Sequence, residues 1–149
     1  LFEASARLAA VLAGSSTLVE EACATYGQAL GTAFQIIDDV LDYDGDSAEM
    51  GKNLGDDLRE GKATLPLIAA MQRGTPAQAA TVREAIENGN TDQLDAIAHI
   101  VRSTGALDVA RNAAAAEAQR AIAALEQLPS NEYSAALHQL ASQLLARRT

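Results

Sequence analysis

The sequence predicts an all-α protein. Its 149 residues are 48% hydrophobic, which is enough for one domain with a substantial core. Aromatic residues make up only 3%, there are three prolines, and the hydrophobic share rests on Ala, Leu, Ile and Val, a composition typical of helices. Apolar residues also recur every three or four positions along most of the chain, which is the period of an amphipathic helix.

The first two predicted helices differ greatly in length. Residues 2–13 form a short amphipathic segment that ends at Gly14. The second helix, over residues 17–43, contains no proline, and at about 1.5 Å per residue it would be roughly 40 Å long. We therefore expect it to run through the middle of the domain.

The rest of the chain reads as one loop followed by five helices. Residues 44–62 carry four glycines and no sustained period, so they predict a long loop with one helical turn around residues 53–59. The remaining helices are predicted over residues 65–74, 75–88, 91–103, 107–128 and 131–147. Start and stop signals are Pro66, a Thr75–Gln78 capping box and Pro129. We count residues 1–149 as one all-α unit, with Met71 and Tyr133 in its core.

Charge and cysteine content exclude several classes of function. The formal net charge is −9, and an acidic surface repels nucleic acid, so we expect no nucleic-acid partner. Cys23 is the sole cysteine, so we expect no disulfide, a small core residue and a cytoplasmic protein. No apolar run approaches the ~20 residues of a transmembrane helix.

Carboxylates crowd the end of the long helix, in the stretch "GTAFQIIDDVLDYDGD". At about 100° per residue, Asp38, Asp39 and Asp42 share one face with Gln35. This placement is costly, because aspartate is a poor helix former, Asp38 and Asp42 repel each other across one turn, and negative charge at a helix C-terminus opposes the dipole. A solvated acidic helix end is the alternative, but a bound cation would offset every penalty. Oxygen-only ligands favour Mg²⁺.

The glycine-rich loop supplies positive charge next to this face. Lys52 follows Gly51, and Asp56 and Lys62 lie further along. Alternating acids and lysines on a flexible loop suit a metal with a polyphosphate, although simple surface decoration is the alternative for the loop alone. A calcium-binding EF-hand loop is excluded, because Ser47 and Asn53 stand where that loop needs glycine and glutamate.

Together, "YGQALGTAFQIIDDVLDYDGD" and "MGKNLGDDLREGKATLPLI" resemble the C-terminal half of the trans-polyprenyl diphosphate synthases, most closely the octaprenyl diphosphate synthase type. The resemblance implies an isoprenoid synthase-type helical bundle, here only its C-terminal half. It implies a Mg²⁺-dependent, head-to-tail elongation of an allylic prenyl diphosphate with isopentenyl diphosphate, carried out by a homodimer.

The resemblance also implies roles for individual residues. Metal binding falls to Asp38, Asp39, Asp42 and Asp56, diphosphate contacts to Gln35, Lys52 and Lys62, a pocket wall to Phe34, and a direct part in catalysis to Asp38 and Lys52. Arg147 and Arg148 either favour the last helix C-terminus or approach the diphosphate.

The family's first aspartate-rich motif does not occur in these 149 residues, so we expect this piece alone to be inactive. Two alternatives stay open, a protein of another class and a second Mg²⁺-dependent isoprenoid enzyme. One is a non-catalytic helical subunit of a heteromeric prenyl synthase, which would not need the costly acidic cluster. The other is a terpene cyclase, whose second metal motif typically mixes Asn, Ser or Thr with acids.

Overall fold

The structure, a computed structural model, describes residues 1–44, 55–89 and 92–146, with side-chain surroundings through residue 144. These residues form α-helices and no strand. The helices are α1 (Phe2–Leu12), α2 (Thr17–Asp44), α3 (Asp56–Arg59), α4 (Leu65–Arg73), α5 (Pro76–Asn88), α6 (Leu94–Ser103), α7 (Ala106–Ala124) and α8 (Glu132–Ala146), with a 3-10 turn over Leu125–Gln127. The all-α class predicted from the sequence is confirmed.

The described residues form two compact units. The first unit contains residues 1–35 and 113–146, and the second contains residues 36–112. Both α2 and α7 supply residues to each unit, because the divisions fall inside these helices.

The first unit depends on a very close approach of α1 to α2. Gly27 permits it, since a Cβ there would lie 2.5 Å from the Phe2 carbonyl oxygen and 2.9 Å from the Ala6 Cβ. Small side chains also dominate the buried positions contributed by α7, namely Ala114, Ala118 and Ala121. The hydroxyl of Tyr26, a buried residue, donates to the Leu137 carbonyl of α8 at 2.9 Å.

The second unit has a conventional apolar core. Its buried cluster takes residues from the end of α2 and from α3 to α7: Val40, Tyr43, Leu58, Leu67, Ala69, Ala70, Val82, Ala85, Ile97, Ile100, Val101, Ala106, Leu107 and Ala110. Met71 packs against this cluster, as predicted. The core thereby fixes the C-terminal end of α2, where the acidic residues lie.

Local signals in the sequence located most helix ends. The capping box of α5 is present, with the Thr75 N–H donating to Gln78 Oε1 at 2.8 Å and the Gln78 N–H to Thr75 Oγ1 at 3.3 Å. The predicted helix over residues 107–128 instead changes to a 3-10 turn at Leu125, because Leu128 must become extended before Pro129.

One core assignment was wrong. Tyr133 is 73% exposed on α8. The sequence could not show this, because apolar periodicity does not indicate whether another element covers a helix face. Cys23, assigned to the core, is only partly buried. Within the described ranges no helix is long and apolar enough to span a bilayer.

We predict that Gly27→Ala lowers the free energy of unfolding by about 1–2 kcal/mol. The added methyl would meet the Phe2 carbonyl oxygen, and such overpacking costs about 1–3 kcal/mol, more than the roughly 1 kcal/mol that alanine gains in a helix. Urea denaturation of the purified protein measures the difference. Thr32→Ala, at an exposed position of α2, is the control and should change stability by less than about 0.5 kcal/mol; equal stability of Gly27→Ala and wild type would contradict the close approach.

Candidate functional site

The three acidic side chains on one face of α2 differ in exposure. Asp38 is exposed, Asp42 is partly buried, and Asp39 is only 6% exposed. The neighbouring apolar positions Val40 and Tyr43 are buried in the core of the second unit. The three carboxylates on this face therefore range from solvent-exposed to buried.

Asp39 is held by a cation from the segment that follows α3. Lys62 Nζ lies 2.9 Å from Asp39 Oδ1 and 3.0 Å from Asp57 Oδ1. Burial lowers the pKa of Lys62, but its hydrogen bonds to Asp39 and Asp57 outweigh burial and raise the pKa above its usual value. The ammonium group thus stays charged and links α2 to α3.

A left-handed turn fixes the position of Lys62. Gly61 has φ +69°, its N–H donates to the Leu58 carbonyl at 3.0 Å, and the Lys62 N–H donates to the Asp57 carbonyl at 2.9 Å. This pair of hydrogen bonds is the Schellman motif, which favours glycine at the left-handed position. Lys62 is accordingly fixed against Asp57 by its backbone as well as by its side chain.

Asp42 lies in the least favourable electrostatic setting of the three. Burial and the negative charge of Asp57 raise the pKa of Asp42 to about 6, although hydrogen bonds from the backbone N–H groups of Asp57 and Gly55 act in the opposite direction. Its Oδ2 atom is buried and has no hydrogen-bond partner in the described part of the chain. A buried carboxylate oxygen without a partner is expensive, and a cation would relieve that cost.

Two buried hydroxyls lie beside this carboxylate. The hydroxyls of Tyr43 and Thr64 have no partner at full hydrogen-bond geometry within the described ranges, although the Thr64 side chain is close enough to lower the pKa of Tyr43 slightly. Burial and the charge of Asp42 dominate and raise the pKa of Tyr43 well above its usual value. Tyr43 is therefore neutral.

Two arginines that sequence reasoning missed stabilise the last turn of α2. Arg102 Nε donates to the Tyr43 carbonyl at 3.0 Å, and Arg111 pairs with Asp44. Both cations offset the negative end of the helix dipole. They come from α6 and α7, 59 and 67 residues along the chain from their partners, so no local signal in the sequence could have identified them.

The remaining predicted site residues are distributed as follows. Asp56 pairs with Arg59 at the start of α3 and is exposed, while its charge contributes to raising the pKa of Asp42. Gln35 is exposed on α2, and Phe34 is 40% exposed with its ring centroid 5.8 Å from that of Phe2. Lys52, Arg147 and Arg148 lie outside the described residues.

The donor set at this helix end fits a hard cation. All candidate ligands are carboxylate oxygens, which Mg²⁺ prefers, and Asp42 offers a buried oxygen without a partner. Within the described ranges no three His, Cys, Asp or Glu side chains are grouped to hold a metal by themselves.

Comparison with known proteins gives the family. A family model described as "Polyprenyl synthetase" matches residues 1–104. The chain belongs to the polyprenyl synthetase family. The resemblance seen in the sequence motifs is thereby confirmed.

Individual relatives agree with this assignment. The chain is 49% identical over 95% of its length to an octaprenyl diphosphate synthase of Haemophilus influenzae. It is 46% identical over 99% to an all-trans-nonaprenyl-diphosphate synthase (geranyl-diphosphate specific) of Rhodobacter capsulatus. A polyprenyl synthase of Caulobacter crescentus, solved in complex with calcium and isoprenyl diphosphate, matches with a TM-score of 0.87 and 41% identity over 99% of the chain. The chain spans only 43% to 46% of the length of these relatives.

We predict that, without divalent metal, Asp42→Asn is more stable than wild type at pH 8 and that this gap closes near pH 4. The folded-state pKa of Asp42 is raised to about 6, so wild type loses stability as the pH rises through that value. Asparagine carries no charge and still accepts the backbone hydrogen bonds. After allowance for partial exposure we expect a gap of about 1–2 kcal/mol.

Urea denaturation across the pH range, in buffer containing a chelator, measures this gap. Glu87→Gln makes the same carboxyl-to-amide change at an exposed position of α5 and serves as the matched control. A gap of equal size in the control, or an Asp42→Asn gap that does not vary with pH, would contradict the assigned cause.

Proposed function

We propose that the whole protein extends an allylic prenyl diphosphate with isopentenyl diphosphate, head to tail. The allylic C–O bond breaks, diphosphate departs with the electron pair, the allylic carbon bonds to the terminal carbon of isopentenyl diphosphate, and a proton is lost. The observation that carries this proposal is the 49% identity to octaprenyl diphosphate synthase over 95% of the chain, a stretch that includes the acidic end of α2.

Mg²⁺ is the proposed cofactor. Support comes from the oxygen-only donor set and from the Caulobacter crescentus relative, whose complex contains calcium and isoprenyl diphosphate. Asp38, which is exposed, and Asp42, which has a buried oxygen without a partner, would hold the cation, with Asp56 contributing from the start of α3. When bound, Mg²⁺ would neutralise charge that develops on the departing diphosphate.

The side chains of this chain then have distinct tasks. Asp38 is exposed on α2, whereas Asp39, for which the sequence also predicts metal binding, pairs with Lys62. Phe34, one turn before Asp38 on α2, exposes an aromatic ring that suits the apolar prenyl group. No side-chain nucleophile is needed, because the double bond of isopentenyl diphosphate supplies the electron pair for the new C–C bond. Diphosphate contacts by Gln35, Lys52 and Lys62, and the direct catalytic part of Lys52, stay predictions.

The non-catalytic helical subunit is the alternative from another class. The raised pKa of Asp42 and its buried oxygen without a partner argue against it, because a purely structural subunit gains nothing from such costs. A homodimer and a cytoplasmic location are further proposals for the whole protein, and inactivity of the 149 residues alone also stays a prediction.

We expect Asp38→Ala in the whole protein to lower turnover by at least about 10²-fold, the scale for loss of one charge-stabilising group. Thermal stability should change little, because the side chain is exposed. Turnover is measured with farnesyl diphosphate, labelled isopentenyl diphosphate and Mg²⁺. The control is Asp95→Ala, which removes an exposed carboxylate from α6; unchanged turnover of Asp38→Ala would favour the non-catalytic subunit.

Removal of metal provides a separate test of the cofactor. With a chelator in excess, we expect the same assay to lose essentially all turnover, because the crowded carboxylates alone repel a diphosphate. Added Mg²⁺ should restore it. Turnover that persists without any divalent cation would disprove the metal requirement while leaving the transfer reaction intact.

A further inference from the structure

We propose that Lys62 is a positioning residue, whose ammonium group holds Asp39 and Asp57 together and keeps this pair from binding a divalent cation. The metal is thereby reserved for Asp38, Asp42 and Asp56. This inference rests on the proposed function and deepens it, since it assigns different tasks to carboxylates that the sequence pattern treats alike.

The first support is the geometry of the ammonium group. Its nitrogen lies 2.9 Å from Asp39 Oδ1 and 3.0 Å from Asp57 Oδ1, so two of its three N–H donors are directed at carboxylates. Two carboxylates that share one small cation are also a suitable pair of ligands for a divalent ion. Lys62 therefore occupies a position that a metal could otherwise take.

The second support is that the backbone fixes Lys62 at this position. The Lys62 N–H donates to the Asp57 carbonyl at 2.9 Å, and the Thr64 N–H donates to the Lys62 carbonyl at 3.1 Å. The left-handed Gly61 before it leaves little room for a side chain, since a Cβ would lie 3.2 Å from the Ile86 carbonyl oxygen. The fold thus fixes the backbone of Lys62, and the side chain, which is 40% exposed, reaches Asp39 and Asp57 from that fixed position.

The third support is the charge that Lys62 offsets. Asp39 is only 6% exposed, so water screens its negative charge poorly and the adjacent ammonium group is its nearby source of compensation. Loss of the ammonium would remove the positive charge that lies within 3.0 Å of both Asp39 and Asp57. A divalent cation would then find a competing pair of oxygens on the buried side of the helix end.

The diphosphate contact that the sequence resemblance implies for Lys62 is the competing role, and the two roles predict different results. Lys62→Met removes the charge and keeps the length of the side chain. If Lys62 shields Asp39 and Asp57, this variant should bind Mn²⁺ alone about three- to tenfold more tightly than wild type, because one nearby positive charge is gone. If Lys62 instead binds diphosphate, affinity for Mn²⁺ alone should not change.

The experiment is a titration of the whole protein with Mn²⁺, followed by electron paramagnetic resonance, without diphosphate and then with inorganic pyrophosphate. Lys62→Arg should stay within about twofold of wild type, since it keeps the charge. The double variant Lys62→Met/Asp39→Asn should return toward wild-type affinity, because the second change removes one of the two carboxylates that would bind the ion. Unchanged affinity for Mn²⁺ alone, combined with weaker pyrophosphate binding, would overturn the proposal.

Controls separate this role from simple stabilisation. Arg73→Met removes a cation of the same unit whose Nε donates to the Thr104 carbonyl at 2.7 Å; it should lower the melting temperature without changing Mn²⁺ affinity. If Lys62→Met does not fold, Lys62→Gln removes the charge while keeping an N–H donor and should show the same gain. Failure of prenyl transfer would contradict the proposed function but not this inference, because Mn²⁺ binding is measured without substrate.

Discussion

Repulsion among carboxylates at the C-terminal end of α2 is the constraint on which the arrangement of the second unit depends. Each penalty is modest, a few tenths of a kcal/mol for a like-charged pair one turn apart and about 0.3–1 kcal/mol for an acid at the wrong end of the dipole. Several of these penalties occur together here, and cations from the surrounding elements offset them. Lys62 bridges Asp39 and Asp57, and Arg111 pairs with Asp44.

The apolar core makes this charge concentration tolerable. Val40 and Tyr43 are buried in the cluster of the second unit, and burial of side chains of this size is worth about 1.5–3 kcal/mol each. These residues alternate with the acidic ones along the same helical turns. Because the core fixes the rotation of α2, the exposure of each carboxylate follows from its angle on the helix, with Asp38 outermost and Asp39 innermost.

Local physics explains what the sequence could predict. The ends of α2 and α5 follow from composition, periodicity and a capping box whose atoms are three residues apart, so the predicted boundaries agree closely with the observed ones. The acidic face could also be predicted from the sequence, because a helical wheel requires only the residues of the helix itself. The division into two units could not be predicted, since α2 and α7 are continuous helices and nothing in their periodicity marks where one set of contacts replaces another.

Contacts between distant parts of the chain explain what the sequence could not predict. The wheel places Asp39 beside Asp38, but only the fold brings Lys62, 23 residues away, onto Asp39. The partners of the last turn, Arg102 and Arg111, are farther still along the chain. Similarly, Tyr133 belongs to an amphipathic helix, yet its exposure depends on whether another element covers that face.

The difference between Asp39 and Asp42 connects these contacts to the proposed chemistry. Asp39 is satisfied by a cation that the chain itself provides, whereas Asp42 keeps a buried oxygen without a partner in the described part of the chain. Binding of a divalent ion is most favourable where it pairs with a buried oxygen that has no other partner, and least favourable where it must displace an ammonium group. Under the proposed function, the distribution of partners, more than the number of carboxylates, would therefore decide which oxygens bind a metal at the end of α2.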